Sequence, residues 1–254
     1  MKKEKVVTTE AETYVVIEKY GRQFALLMLL GVLVYGSYLV YNWNLDRSEK
    51  NAQEELFVMQ KKIETKANDL AKADEEATKT KLDKKIESAK KSELEKTPEA
   101  LTKNFAEQIQ EYEAFIQANK GRKAESMAAI RLAELSVEYN DFLRAEKILS
   151  AITLKHKDDV FFGLVKMQLG SVLMDEKKYS EAIEQFTLVV DTPEQKAFHP
   201  QALLRIGACH LETGDYLKAE SILSRLEADH PTTQAANEGK NLRRLALLKK
   251  AEKS

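Results

Sequence analysis

Residues 206–231 read Ile-Gly-Ala-Cys-His-Leu-Glu-Thr-Gly-Asp-Tyr-Leu-Lys-Ala-Glu-Ser-Ile-Leu-Ser-Arg-Leu-Glu-Ala-Asp-His-Pro. Gly214-Asp215-Tyr216 marks a tight turn. After it, Ala219, Leu223 and Leu226 recur at steps of four and three, the spacing of one helix face. Ile206-Gly207 puts a bulky and a small residue side by side on the helix before the turn. The stretch therefore predicts two helices packed closely as a hairpin. The pattern returns every 37 residues. Leu132-Ala133, Leu169-Gly170 and Ile206-Gly207 align, followed by Phe142, Tyr179 and Tyr216, then Ala145, Ala182 and Ala219. Leu149, Phe186 and Leu223 continue the register, as do Ile152, Val189 and Leu226. A hairpin of this kind cannot bury its apolar face alone, so three of them predict a stack. The repeats run over about 126–162, 163–199 and 200–232. A further helix at 233–252, with Leu242, Leu245 and Leu248, caps the stack or folds back over it.

Upstream, Thr97-Pro98 has the form of a helix start, a capping hydroxyl followed by proline in the first turn. Leu101, Phe105, Ile109, Tyr112 and Phe115 form one apolar stripe, which Asn119-Lys120-Gly121 ends. The packed domain is thus expected over 98–254. Composition agrees: glycine (9) and proline (4) are scarce and charged residues make up 32%, which favours helix. The expected class is all-α: a single transmembrane helix, a charged helical or coiled-coil-like spacer, and an α-solenoid.

The spacer is 46–97, where 26 of 52 residues are charged. Leu56, Ile63 and Leu70 fall seven apart, with Met59 and Ala73 as a partial second seam that Lys66 interrupts. A coiled coil needs three or four sustained heptads. A solvated helix laced with Glu–Lys pairs, or a partly disordered tether, satisfies the same residues. Before it, Gln23 to Leu45 contains no charge. Twenty residues from Phe24 to Trp43 span the ~30 Å hydrocarbon core as a helix. Tyr35, Tyr38, Tyr41 and Trp43 crowd one end, where amphipathic rings favour the headgroup level. The exit lacks a small-residue cleavage pattern, and a core helix of this length would keep a polar face, so 23–45 is expected to be a retained anchor. Lys2, Lys3, Lys5, Lys19 and Arg22 in the leader 1–22 outnumber Arg47 and Lys50 beyond the span. The leader is therefore expected in the cytoplasm and the body across the membrane, in the periplasm of a bacterium.

The net charge of −1 gives no general attraction to nucleic acid. One cysteine, Cys209, excludes an intrachain disulfide, and it is expected as a small buried residue on a first helix. His156, His199, His210 and His230 lack metal-ligand spacing. No catalytic residue, metal or cofactor is expected, and the chain reads as an interaction protein rather than an enzyme.

Leu-Gly, a turn aromatic, Ala three residues later and then Phe is similar to the tetratricopeptide signature, best reproduced by Gly207, Gly214-Asp215-Tyr216, Ala219 and Pro231. The usual period is 34, so a spacing of 37 implies longer loops, one of them over 192–200. In such stacks the first helix of each hairpin lines the concave surface. Here that helix carries Ile130, Met167 and Leu204 in one row and Val137, Met174 and Leu211 in a second. Glu138, Asp175 and Glu212 put an acid in register after the second row. These nine residues are the expected binding groove, fitting a segment with apolar anchors and some positive charge; core packing between hairpins and a solvated edge are the competing readings. The Lys/Asn set with which some family members clamp a terminal carboxylate is missing.

Leader, anchor and repeat domain together resemble the YfgM-type ancillary subunits of the Sec translocon. Phe115-Ile116 through Ala128-Ala129-Ile130-Arg131-Leu132-Ala133, and Tyr20-Gly21 before the span, carry that likeness. The resemblance implies a protein beside the SecYEG channel working with a PpiD-like periplasmic chaperone. The charged insertion at 46–97 is longer than that family's. A rod of that length also suits a second reading, an envelope-assembly or cell-division factor that meets peptidoglycan or outer-membrane machinery.

Overall fold

In the computed structural model of the chain, nine α-helices and one 3-10 turn make up the described secondary structure. The structure describes the backbone of residues 2–83, 96–154 and 156–252, and side chains from residue 26 to 76 and again from 96, except Lys155 and the last two residues. The leader's charges and residues 84–95 of the expected spacer lie outside the described side chains. The helices are α1 Lys2–Asp83, α2 Pro98–Ala118, α3 Lys123–Glu138, α4 Phe142–Ser150, α5 Val160–Asp175, α6 Tyr179–Val190, α7 His199–Glu212, α8 Tyr216–Asp229 and α9 Gln234–Glu252. The 3-10 turn is Pro193–Gln195. The chain divides into two compact units, Met1–Asn51 and Ala52–Ser254.

The first unit is helical. Its apolar stretch from Leu26 is long and apolar enough to cross a membrane, and none of it is buried. Among the described residues, no side chain or other element lies within 4 Å of where a Cβ on Gly31 or Gly36 would stand. Ser37 Oγ donates to Leu33 O at 2.7 Å, so its hydroxyl is satisfied within the helix. At the end of the stretch the Arg47 guanidinium lies 5.5 Å from the centre of the Trp43 ring.

The second unit begins inside α1, not at Pro98. Ala52, Leu56 and Met59 are buried, and Ile63, Ala67 and Leu70 pack against the same core. The reading of 46–97 as a solvated spacer does not describe these residues. Lys62 Nζ meets Glu111 Oε1 at 2.7 Å, Lys66 Nζ donates to Gln108 Oε1 at 3.3 Å, and Lys66 stands 6.0 Å from the Phe105 ring centre. The C-terminal part of α1 is thus the first helix of an extra hairpin whose second helix is α2. The interrupting Lys66 is what hid it: its ammonium sits in the seam because Gln108 and an aromatic face receive it.

α2 starts as expected, with Thr97 Oγ1 accepting from Ala100 N at 3.2 Å. All five members of its stripe are buried. Phe105 departs from helical geometry (φ −125°, ψ 20°), and its ring meets Tyr139 edge-on at 5.7 Å. Three hairpins follow, α3–α4, α5–α6 and α7–α8, with α9 as cap. At the small positions the reason for the register is visible. A Cβ on Gly170 would lie 2.5 Å from Phe186 Cε1, and one on Gly207 2.5 Å from Leu223 Cδ2. Ala145, Ala182 and Ala219 are fully buried.

The turns repeat as faithfully as the core. Asn140, Lys177 and Gly214, each 37 residues apart, all adopt positive φ (58°, 61° and 74°). The next residue's N–H reaches back to Ser136, Leu173 or His210 O at 2.8, 2.8 and 2.9 Å, the long bond of a Schellman cap. Asp141 and Asp215 then cap the second helices, but Lys178 at the same place has no capping side chain. Lys177 is the costly member, since a Cβ is disfavoured in this conformation and lysine has no local hydrogen bond to offset it. Lys177→Gly is expected to raise stability by about 1 kcal/mol, read as a higher melting temperature; an unchanged or lower one would show the turn to be unstrained.

The longer loops are held by one side chain. Gln195 is buried, and its Nε2 donates to Lys157 O at 2.7 Å and Asp159 O at 2.9 Å, tying the α4–α5 loop to the α6–α7 loop. Gly163 is required beside it, because a Cβ there would run into the Gln195 amide and the Phe198 ring.

Candidate protein-binding surface

The first helices α3, α5 and α7 position the expected groove residues, and the structure separates them into two sets. Leu204 is buried, whereas Ile130, Val137, Met167 and Met174 are half-buried against the core and Leu211 is half-buried. The apolar rows therefore lie chiefly in the seams between hairpins. Glu138, Asp175 and Glu212 are exposed. Of these, Glu138 is already paired, its carboxylate 2.9 Å from Lys96 Nζ. The same entry segment is fixed by Asn140 Nδ2, which donates to Lys96 O at 2.7 Å.

Neighbouring rows of the first helices, one residue from those expected, carry further exposed and half-buried side chains. Arg131, Gln168 and Arg205 form one, with both arginines exposed. Glu134, Ser171 and Ala208 form the next, and Arg131 Nη1 meets Glu134 Oε2 at 2.8 Å. Met127, Leu164 and Gln201 lie one turn earlier, with Leu164 the most exposed apolar side chain among them. The face thus has charges of both signs around a small apolar centre. Planar guanidinium forks at Arg131 and Arg205 suit carboxylate or carbonyl acceptors, and Asp175 and Glu212 suit cationic side chains. These rows share the 37-residue register and were legible as such; hydrophobicity drew attention to the neighbouring rows instead.

Asp175 closes α5. It is exposed as a residue, but its carboxyl is partly desolvated, which raises its pKa above the usual carboxylate range, and Arg205 offsets part of that. A carboxylate at a helix C-terminus also faces the negative end of the dipole. A raised folded-state pKa means that stability is lost as pH rises through it. Asp175→Asn should therefore melt higher than the parent at neutral pH, and the difference should vanish at a pH low enough to protonate the parent's carboxyl. A difference that persists in acid would assign the effect to something other than ionisation.

Burial shifts two further groups on the first helices in opposite chemical directions. Cys209 is buried, and burial pushes its thiol up to about 11. Lys166 occupies the register position of buried Ala129 and Leu203; burial lowers its pKa, and its Nζ donates to Gln185 Oε1 at 3.0 Å. On another side of the stack, a concavity of ≈ 710 Å³ opens between α2 and α4, lined in part by Ala114, Ile116, Leu143 and Ile148.

Antiparallel helix pairs at a fixed period, with small residues at each crossing, define a helical repeat protein. The chain belongs to the tetratricopeptide repeat-like domain family, whose model matches residues 84–234. No curated protein and no solved structure matches it. The matched region begins after the buried stripe of α1, so the extra hairpin's first helix is outside it.

Proposed function

We propose that the chain is a single-pass membrane protein whose folded unit serves as a protein–protein interaction scaffold on the periplasmic face of a bacterial inner membrane, beside the Sec translocon and a PpiD-like chaperone. The observation that carries this reading is the union, in one chain, of an exposed apolar helix long enough to cross a bilayer and a tetratricopeptide repeat-like unit. Such a unit offers an open row of first helices for peptide or helix capture. Anchoring raises its effective concentration at the membrane. The likeness to the YfgM-type subunits supports the translocon as the place of work. No catalytic step is assigned.

The envelope-assembly reading drew on a long charged rod. Residues 52–70 belong to the core of the folded unit instead, and the translocon reading is preferred. A photo-crosslinker placed at Leu164 or Gln168 in native membranes tests it. Adducts with SecY or a periplasmic isomerase are expected; adducts confined to cell-wall or outer-membrane proteins would overturn it. Protease added to intact spheroplasts should digest the folded unit, and protection there would reverse the orientation.

A further inference from the structure

A stacked repeat ends in helices whose outer sides have no neighbour, and solubility ordinarily requires those sides to be polar. Each terminal helix of the second unit nevertheless keeps large apolar side chains exposed among its charges. Residues 52–76 of α1 turn Ala52, Leu56 and Met59 to the core, yet leave Phe57 67% and Val58 54% exposed on the other side. At the far end α9 buries Ala235, Ala236, Gly239 and Ala246, and leaves Leu245 43% and Leu248 64% exposed. The two ends also differ in charge. Residues 52–76 carry four lysines against seven acids, a net −3, and Gln234–Glu252 carry five cations against two acids, a net +3. Arg243 and Lys250 of α9 turn back to Glu227 and Glu220 at 2.6 and 3.1 Å. Lys240 and Arg244 stay exposed, as do Glu54 and Glu55 beside Phe57, while exposed Lys249 pairs with Glu252 at 3.1 Å.

We propose that these ends are two halves of one interface, through which a second copy of the chain docks head to tail. The outer side of α9 in one copy covers Phe57 and Val58 of the next, with its cations facing Glu54 and Glu55. A second copy is the occupant because the two surfaces complement each other: each carries exposed apolar side chains, with Glu54 and Glu55 beside them on one end and Lys240 and Arg244 on the other. Pairing either end with its own copy would set acid against acid or base against base, which costs affinity. A hollow of ≈ 530 Å³ beside Val58, lined in part by Met59, Phe115 and Ala118 and in part by the paired Lys62 and Glu111, is wide enough for a leucine side chain. The contact is heterologous, so each copy leaves one end unused and assembly extends as a row rather than closing as a dimer. Its electrostatic part weakens with salt.

Two double variants test this with the full-length chain in detergent micelles, its protein mass measured by light scattering. The parent should grow with concentration and shrink with added salt. Phe57→Ser with Val58→Ser disables the first end, and Leu245→Ser with Leu248→Ser disables the last; both sets are exposed, so each variant should melt with the parent. Each alone should associate at least about tenfold more weakly. Mixed, they should form one-to-one pairs and nothing longer, because each keeps the end that the other lacks. A parent that stays monomeric at every concentration, either variant associating as strongly as the parent, or a mixture that fails to pair would each overturn the proposal. If one variant loses its melt, the single changes Val58→Ser and Leu248→Ser repeat the mixing with the fold intact.

Discussion

Leu56→Ala lowers the stability of the second unit by about 2–4 kcal/mol, the usual range for emptying a buried leucine site, while Phe57→Ala next to it changes stability by less than about 0.5 kcal/mol. The contrast follows from a single turn of α1, in which Leu56 is 4% exposed and Phe57 67%. Composition cannot separate the two, since both are large, apolar and set among charges. Only docking against α2 does. Thermal melts of the full-length chain in detergent, followed by helical ellipticity, give the comparison. Equal melts for both variants would mean that residues 52–76 are solvated as the sequence first suggests, and the extra hairpin would have to be abandoned. The magnitude is large because Leu56 shares one core with Leu101, Phe105 and Tyr112 rather than an isolated contact.

Gly170→Ala is the second large effect. Alanine is ordinarily about 1 kcal/mol better than glycine within a helix, so a stabilised protein is the naive expectation. Here the new methyl would lie 2.5 Å from Phe186 Cε1 and 2.7 Å from Cζ. Phe186 is fully buried and its ring is rigid, so relief requires moving two helices apart. Overpacking of this kind costs about 1–3 kcal/mol, and the variant should melt lower than the parent. The register supplies the remedy. In the first repeat the same crossing is made by Ala133 with Leu149, both buried. Adding Phe186→Leu to Gly170→Ala rewrites the second crossing in the form of the first. The double variant should be more stable than either single one, a coupling that a double-mutant cycle measures directly. Additive losses would show that the crossing distance is set elsewhere in the stack.

These cases show where sequence reading reached and where it stopped. The helix starts at Thr97-Pro98 and the period of 37 depend on local capping and on side-chain size at crossings, and both are written in adjacent residues. The strained Lys177 turn belongs to the same register but was passed over, because lysine gives no chemical sign of a left-handed backbone. The expected groove row Ile130, Met167 and Leu204 is half-buried at its first two positions and buried at the third. Its hydrophobicity is legible in the sequence, but how much of it a neighbouring hairpin covers is not. The next row in the same register, Arg131, Gln168 and Arg205, exposes both arginines.

By itself the sequence determined that this chain is helical, that it contains a stretch able to cross a membrane, and that three hairpins repeat. Each of these rests on periodicity or on the length of an uncharged run, which are properties of neighbouring residues. Tertiary structure alone decided that residues 52–76 belong to the folded unit, how deeply each first-helix row is buried, and that each end of the stack leaves a few apolar side chains exposed. Those depend on which helix lies against which, and burial of a side chain is fixed by its partner across the interface rather than by its own neighbours in the chain.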